Sequence, residues 1–67
     1  MTDRRSDAPG EVYFEFTAIG RQVKVAAIDA ATGTEVTVMG PANAAQSDLK
    51  RLALGKLKHR LAKANNP

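Results

Sequence analysis

The side-chain period of this chain changes once, from two to about 3.6, and that change restricts it to a short sheet followed by a helix. Val12, Phe14 and Phe16 alternate with Tyr13, Glu15 and Thr17, the pattern of a half-buried strand. Val23, Val25 and Ala27 then alternate with Lys24, Ala26 and Ile28, and Val36 and Val38 with Glu35, Thr37 and Met39. Beyond Gly40 and Pro41 the apolar residues change spacing: Leu49, Ala53, Leu57 and Leu61 form an i, i+4 stripe, flanked by Leu52 and Leu54. The expected fold class is α+β, a two-layer βββα domain in which a three-stranded antiparallel meander carries one C-terminal helix packed on one face. The expected core is Val12, Phe14, Phe16, Val23, Val25, Val36, Val38, Leu49, Leu52, Leu57 and Leu61.

Residues opposite one another in an antiparallel pair share a face, so the turns can be tested for register. A two-residue turn at Ile19 and Gly20 sets Phe16 against Val23, Phe14 against Val25 and Val12 against Ala27. It also sets Glu15 against Lys24 on the other face, an attractive pair worth roughly 0.2 to 1 kcal/mol. In the second turn Asp29 is placed to accept from the backbone ahead of it, and Gly33 to take a left-handed conformation that closes a loop over residues 30–33. Ala27 then faces Val36, and Val25 faces Val38. Asn43 with Gln46 is the expected N-cap and capping-box pair of the helix, with Ser47 as the alternative cap.

A chain of 67 residues supports one domain and buries only about 60% of the surface its unfolded form exposes. Its 43% hydrophobic and 25% charged residues are those of a folded protein. Cysteine is absent, so packing or self-association has to stabilise so small a core. The polar residues 1–9 are expected to form a disordered leader, residues 10–63 the domain, and residues 64–67 a frayed tail. No run has the length of a secretory signal or a membrane span, and the expected location is the cytoplasm.

The run FEFTAIGRQVKVAAIDAATGTEV, the GP that follows it and then LKRLALGKLKHRLA resemble a small, alphaproteobacterial-looking family of uncharacterised domains, over roughly residues 11–62. The resemblance implies no activity. The shared residues are turn glycines, strand apolars and helix leucines.

Catalytic, metal and cofactor chemistry is not expected. His59, the one histidine, sits near the helix end, where a cation complements the helix dipole. Ser6 in the leader and Ser47 at the helix start are poorly placed to be activated by it. Asp29, Glu35 and Asp48 have no metal-ligand spacing, and no glycine motif cradles a phosphate.

Charge is segregated. Residues 1–42 carry four basic and six acidic side chains, whereas residues 43–67 carry six and one. A helix complementing its own dipole, with Asp48 early and cations late, is the preferred reading of the basic run. The alternative is a nucleic-acid footprint of Lys50, Arg51, Lys56, Lys58, Arg60 and Lys63. Reading of DNA by the open sheet face is disfavoured, because Glu15 and Glu35 would repel phosphates and Lys24 is its lone cation. That face instead collects Tyr13, Ala26, Ile28 and Met39, which suits contact with protein, although scattered exposed apolars are also ordinary. Gly55, in mid-helix away from the leucine stripe, reflects either a tolerant surface site or the close approach of a partner. The expected function is a non-enzymatic protein-interaction domain, homodimeric through the open sheet face or edge, with no membrane or small-molecule partner and no cofactor. Nucleic-acid binding by the basic helix is the alternative.

Overall fold

A computed structural model describes residues 11–64, which form β1 (Val12–Ile19), β2 (Gln22–Asp29), β3 (Glu35–Pro41) and α1 (Gln46–Ala64). The strands make one antiparallel sheet in the order β1-β2-β3, and the helix packs on one face of it. The βββα meander expected from the change of period is the fold observed. The leader at residues 1–9, and the tail beyond Ala64, lie outside the described residues. Ala64 is the last residue of the helix. No helix among the described residues is long and apolar enough to cross a membrane.

The second hairpin has the expected register, with Ala27 opposite Val36 and Val25 opposite Val38. Asp29 organises its loop. The buried carboxylate Oδ2 accepts from the Thr32 amide at 3.0 Å and the Thr32 hydroxyl at 2.7 Å. Gly33, at φ 76°, donates its amide to the Asp29 carbonyl at 2.7 Å.

In the first hairpin the register differs from the expected one by two residues. Phe14 lies opposite Ala27 and Phe16 opposite Val25, while Glu15 faces Ala26 and Thr17 faces Lys24, so the expected Glu15–Lys24 pair is not formed directly across the strands. The turn residues are Gly20 and Arg21, closed by Ile19 opposite Gln22. Side-chain period is blind to this slip, because a shift of two residues leaves every side chain on its face. Turn chemistry decides it. Gly20 takes φ 61° at the first turn position, a conformation that the β-branched Ile19 would adopt only under strain.

The core consists of Val25, Ala27, Val36, Leu49, Ala53 and Leu57, with Val12, Phe14, Phe16, Val23, Val38 and Leu61 packed half-buried around it. The helix lies over β2 and β3 and leaves β1 at its margin. Leu52, expected in the core, is 62% exposed. Each i, i+4 step advances about 40° around a helix, so the buried row inclines toward the flank of Leu54 and Leu61 and away from Leu52. The capping box is likewise absent. The Ala45 carbonyl accepts from the Leu49 amide at 3.2 Å, which makes Ala45 the residue at the helix start and puts Ser47 inside the first turn.

Gly40 lets the helix approach closely. A Cβ built at that position would meet Leu49 Cδ2 at 2.5 Å, so the leucine at the head of the buried row sits where any larger residue would place its first carbon.

Candidate protein-contact face

The face of the sheet turned away from the helix presents cross-strand rows set by the observed register. Tyr13, Ile28 and Glu35 form one, Glu15, Ala26 and Thr37 the next, then Thr17, Lys24 and Met39, and finally Ile19, Gln22 and Pro41. Tyr13, Ala26 and Met39 therefore step diagonally across the three strands, with Ile28 directly beside Tyr13. Of the four residues singled out from the sequence, Tyr13 and Met39 are 50% and 48% exposed, Ile28 is half-buried, and Ala26 is buried beneath its neighbours. The slip in register brings Tyr13 and Ile28 together, since the expected pairing set Tyr13 opposite Ala26. Such an aromatic and β-branched pair contributes roughly 0.2 to 1 kcal/mol to the sheet.

Sequence reasoning missed Ile19, which is 49% exposed and extends the apolar character of the face to the end of β1. Assigning it to the turn removed it from the alternation. The signal that could have found it is Gly20, which belongs at the first position of the turn and so returns Ile19 to the strand.

The six basic residues of the helix do not converge. Lys50 Nζ stands 5.2 Å from the centre of the Phe14 ring, a cation–π contact. Arg51 pairs with Asp48 at 3.1 Å, and Lys56 Nζ donates to the Thr37 carbonyl at 2.7 Å. Among the described residues Lys58, Arg60 and Lys63 have no such partner. Helical spacing separates Lys58 from Arg60 by about 160° around the axis, whereas Arg60 and Lys63, an i, i+3 pair, share one side of the helix with Lys56.

His59 is exposed, and twelve residues of helix, about 18 Å at 1.5 Å per residue, separate it from Ser47. That span puts the two side chains out of hydrogen-bond reach. Ser6 lies outside the described residues. Among the described residues no three carboxylates or histidines gather to hold a metal ion. An open depression of about 510 Å³ lies where the first turn meets the link to the helix, lined by Gly20, Arg21, Pro41, Ala42 and Asn43. It contains one ionisable side chain, Arg21, and no nucleophile or carboxylate to work with it.

A family model described as a domain of unknown function, DUF6898, matches residues 9–64. No curated protein and no solved structure shows a significant match.

Proposed function

Because the chain belongs to the DUF6898 family of domains of unknown function, we propose from its own surfaces that it is a non-enzymatic protein-interaction domain whose contact site is the open sheet face. The observation that carries this reading is the diagonal of Tyr13, Ala26 and Met39 with Ile28 beside it, on a face where an antiparallel sheet ordinarily shows polar residues to water. Glu15, Lys24 and Glu35 rim the diagonal, the arrangement of an apolar contact bordered by charge. The alternative, nucleic-acid binding by the helix, is weakened by its cations: Lys50, Arg51 and Lys56 each have a partner within the domain.

The two readings respond differently to salt and to substitution. Binding through several phosphates loses affinity steeply as salt rises, with a slope of about −0.9 per phosphate neutralised on duplex DNA. Contact through the apolar diagonal persists in salt and is abolished by a charge at its end, since a buried unpaired charge is costly. Tagged wild-type and Met39→Glu domains, both verified as folded, are compared for the proteins they retain at low and high salt, and are titrated with duplex and single-stranded DNA and RNA. Retention of a protein by wild type at high salt, lost in Met39→Glu, is the expected result. Micromolar, salt-sensitive nucleic-acid binding, unchanged by Met39→Glu and weakened by Lys58→Ala with Arg60→Ala, overturns it.

A further inference from the structure

The two edges of the sheet are not alike, and the difference follows from which backbone groups each strand turns outward. On β3 the residues bonded to β2 are Val36, Val38 and Gly40, as the Asp29 to Thr34 and Ala42 to Arg21 hydrogen bonds at either end require. Glu35, Thr37 and Met39 therefore turn their amides and carbonyls to the outside. That edge is blunted: Lys56 Nζ occupies the Thr37 carbonyl at 2.7 Å, and Pro41, at the end of the strand, has no amide to offer. On β1 the hydrogen bond from the Ala30 amide to the Glu11 carbonyl sets the opposite phase, so Val12, Phe14, Phe16 and Ala18 turn their backbone groups outward. Strand β1 contains no proline, lysine or glycine, and among the described residues nothing pairs with its outer groups. Its side chains are also undercovered. Phe14 and Phe16 are half-buried at the margin of the helix, and Tyr13 and Ile19 half-exposed on the other face.

We propose that the outer edge of β1 takes the β1 strand of a second copy of this chain, antiparallel about a two-fold axis at Phe16, to make one continuous six-stranded sheet. The proposal rests on the reading of the domain as a protein-interaction module and names one of its partners. Charge selects the register. Outward groups at even positions allow two alignments that overlap nearly the whole strand. One centres on residue 15 and sets Glu15 directly against its own copy, which is repulsive. The other centres on residue 16 and aligns residues 13–19 of each copy with no like charges opposed. In that alignment Phe16 meets Phe16, Phe14 meets Ala18, Tyr13 meets Ile19 and Glu15 meets Thr17, each residue against its counterpart in the second copy. Exposed apolar side chains of β1 are thereby matched on both faces, and the small Ala18 lies opposite the Phe14 ring that carries Lys50.

The helices do not obstruct this assembly. With strands about 4.8 Å apart and α1 over β2 and β3, the two helix axes stand about 19 Å from each other, against a helix diameter of about 10–12 Å. The two open faces become one, with Glu15 and Thr17 of both copies beside the axis and a Tyr13–Ile19 pair at each end of the seam. Closure follows from the symmetry, since an isologous contact uses the same strand on both sides and leaves only the blunted β3 edges exposed.

Sedimentation of the full chain across concentration, with amide hydrogen exchange at each concentration, tests the proposal. Ala18→Pro serves as the blocking variant, because the Ala18 amide points outward and its loss spares every bond to β2. The expected result is about a twofold rise in mass. With it, exchange at Phe14, Phe16 and Ala18 slows about tenfold or more, while Glu35, Thr37 and Met39 do not change. Ala18→Pro stays monomeric and folded, and Met39→Glu still dimerises. A dimer that survives Ala18→Pro but dissociates in Met39→Glu overturns edge pairing while upholding the open face as a contact site. A chain that remains monomeric to roughly 1 mM, with rapid exchange along β1, overturns the second copy as partner, and the interaction reading then stands or falls on the proteins lost by Met39→Glu.

Discussion

Replacing Gly40 by alanine should destabilise the domain through a single contact, and removing that contact should reverse the sign of the effect. The added methyl would stand 2.5 Å from Leu49 Cδ2, well inside van der Waals distance, so the buried Leu49 side chain has to shift. Overpacking of this kind costs about 1 to 3 kcal/mol. Against it stands the loss of backbone freedom in the unfolded chain, which favours alanine by about 0.4 to 1 kcal/mol wherever the native backbone accepts it. Gly40, unlike Gly20 and Gly33, has no positive φ, so its backbone accepts alanine. The net expectation is a loss of roughly 0.5 to 2 kcal/mol. In a Leu49→Ala background the clash is gone, and Gly40→Ala should stabilise by about 0.4 to 1 kcal/mol. Urea melts of the four proteins close a double-mutant cycle, with an expected coupling of about 1 to 3 kcal/mol and unchanged m-values. Because Leu49→Ala alone costs about 2 to 5 kcal/mol in a domain whose total is roughly 3 to 10, the cycle is best run with Gly55→Ala in all four. A coupling under about 0.5 kcal/mol would show that Leu49 does not rest on Gly40.

Leu57→Ala, which empties a fully buried site between helix and sheet, should cost about 2 to 5 kcal/mol in a denaturant melt. A loss under about 0.5 kcal/mol would place Leu57 on the surface. Gly55→Ala should stabilise by about 0.8 to 1 kcal/mol, since a Cβ there meets nothing within 4 Å, and raise the melting temperature by about 4 to 8 °C. A destabilisation would reveal a crowded site. Asp29→Ala removes the acceptor of the Thr32 amide, while the Thr32 hydroxyl keeps Thr34 Oγ1 as an acceptor at 2.8 Å, and should cost about 1 to 3 kcal/mol, with Asp29→Asn, which keeps an acceptor, costing less. Losses under about 0.5 kcal/mol in both variants would mean that the loop does not depend on that carboxylate.

Much of the fold is determined locally and is legible in the sequence. Alternation over Val12–Thr17, Val23–Ile28 and Glu35–Met39 assigns each side chain a face, and the Leu49 stripe assigns the helix its buried side, because both follow from backbone periods alone. The second hairpin is equally local, its register carried by Asp29 and Gly33 within one loop. Most of the candidate contact face was legible for the same reason: Tyr13, Ile28 and Met39 fall on the outer parity whatever the register. The register of the first hairpin separates two alignments of identical parity, and the turn chemistry of Gly20, at φ 61°, is the local signal that tells them apart. Two matters were decided by tertiary structure. The flank of the helix that enters the core depends on how the inclined i, i+4 row meets a twisted sheet, which buries Ala53 and half-buries Leu54 while leaving Leu52 in water. The asymmetry of the edges arises from a contact across 19 residues, Lys56 on the Thr37 carbonyl, together with a hydrogen-bond phase that no side-chain pattern records. Side-chain alternation specifies faces, but the direction of each backbone carbonyl within the sheet plane exists only once the strands are paired.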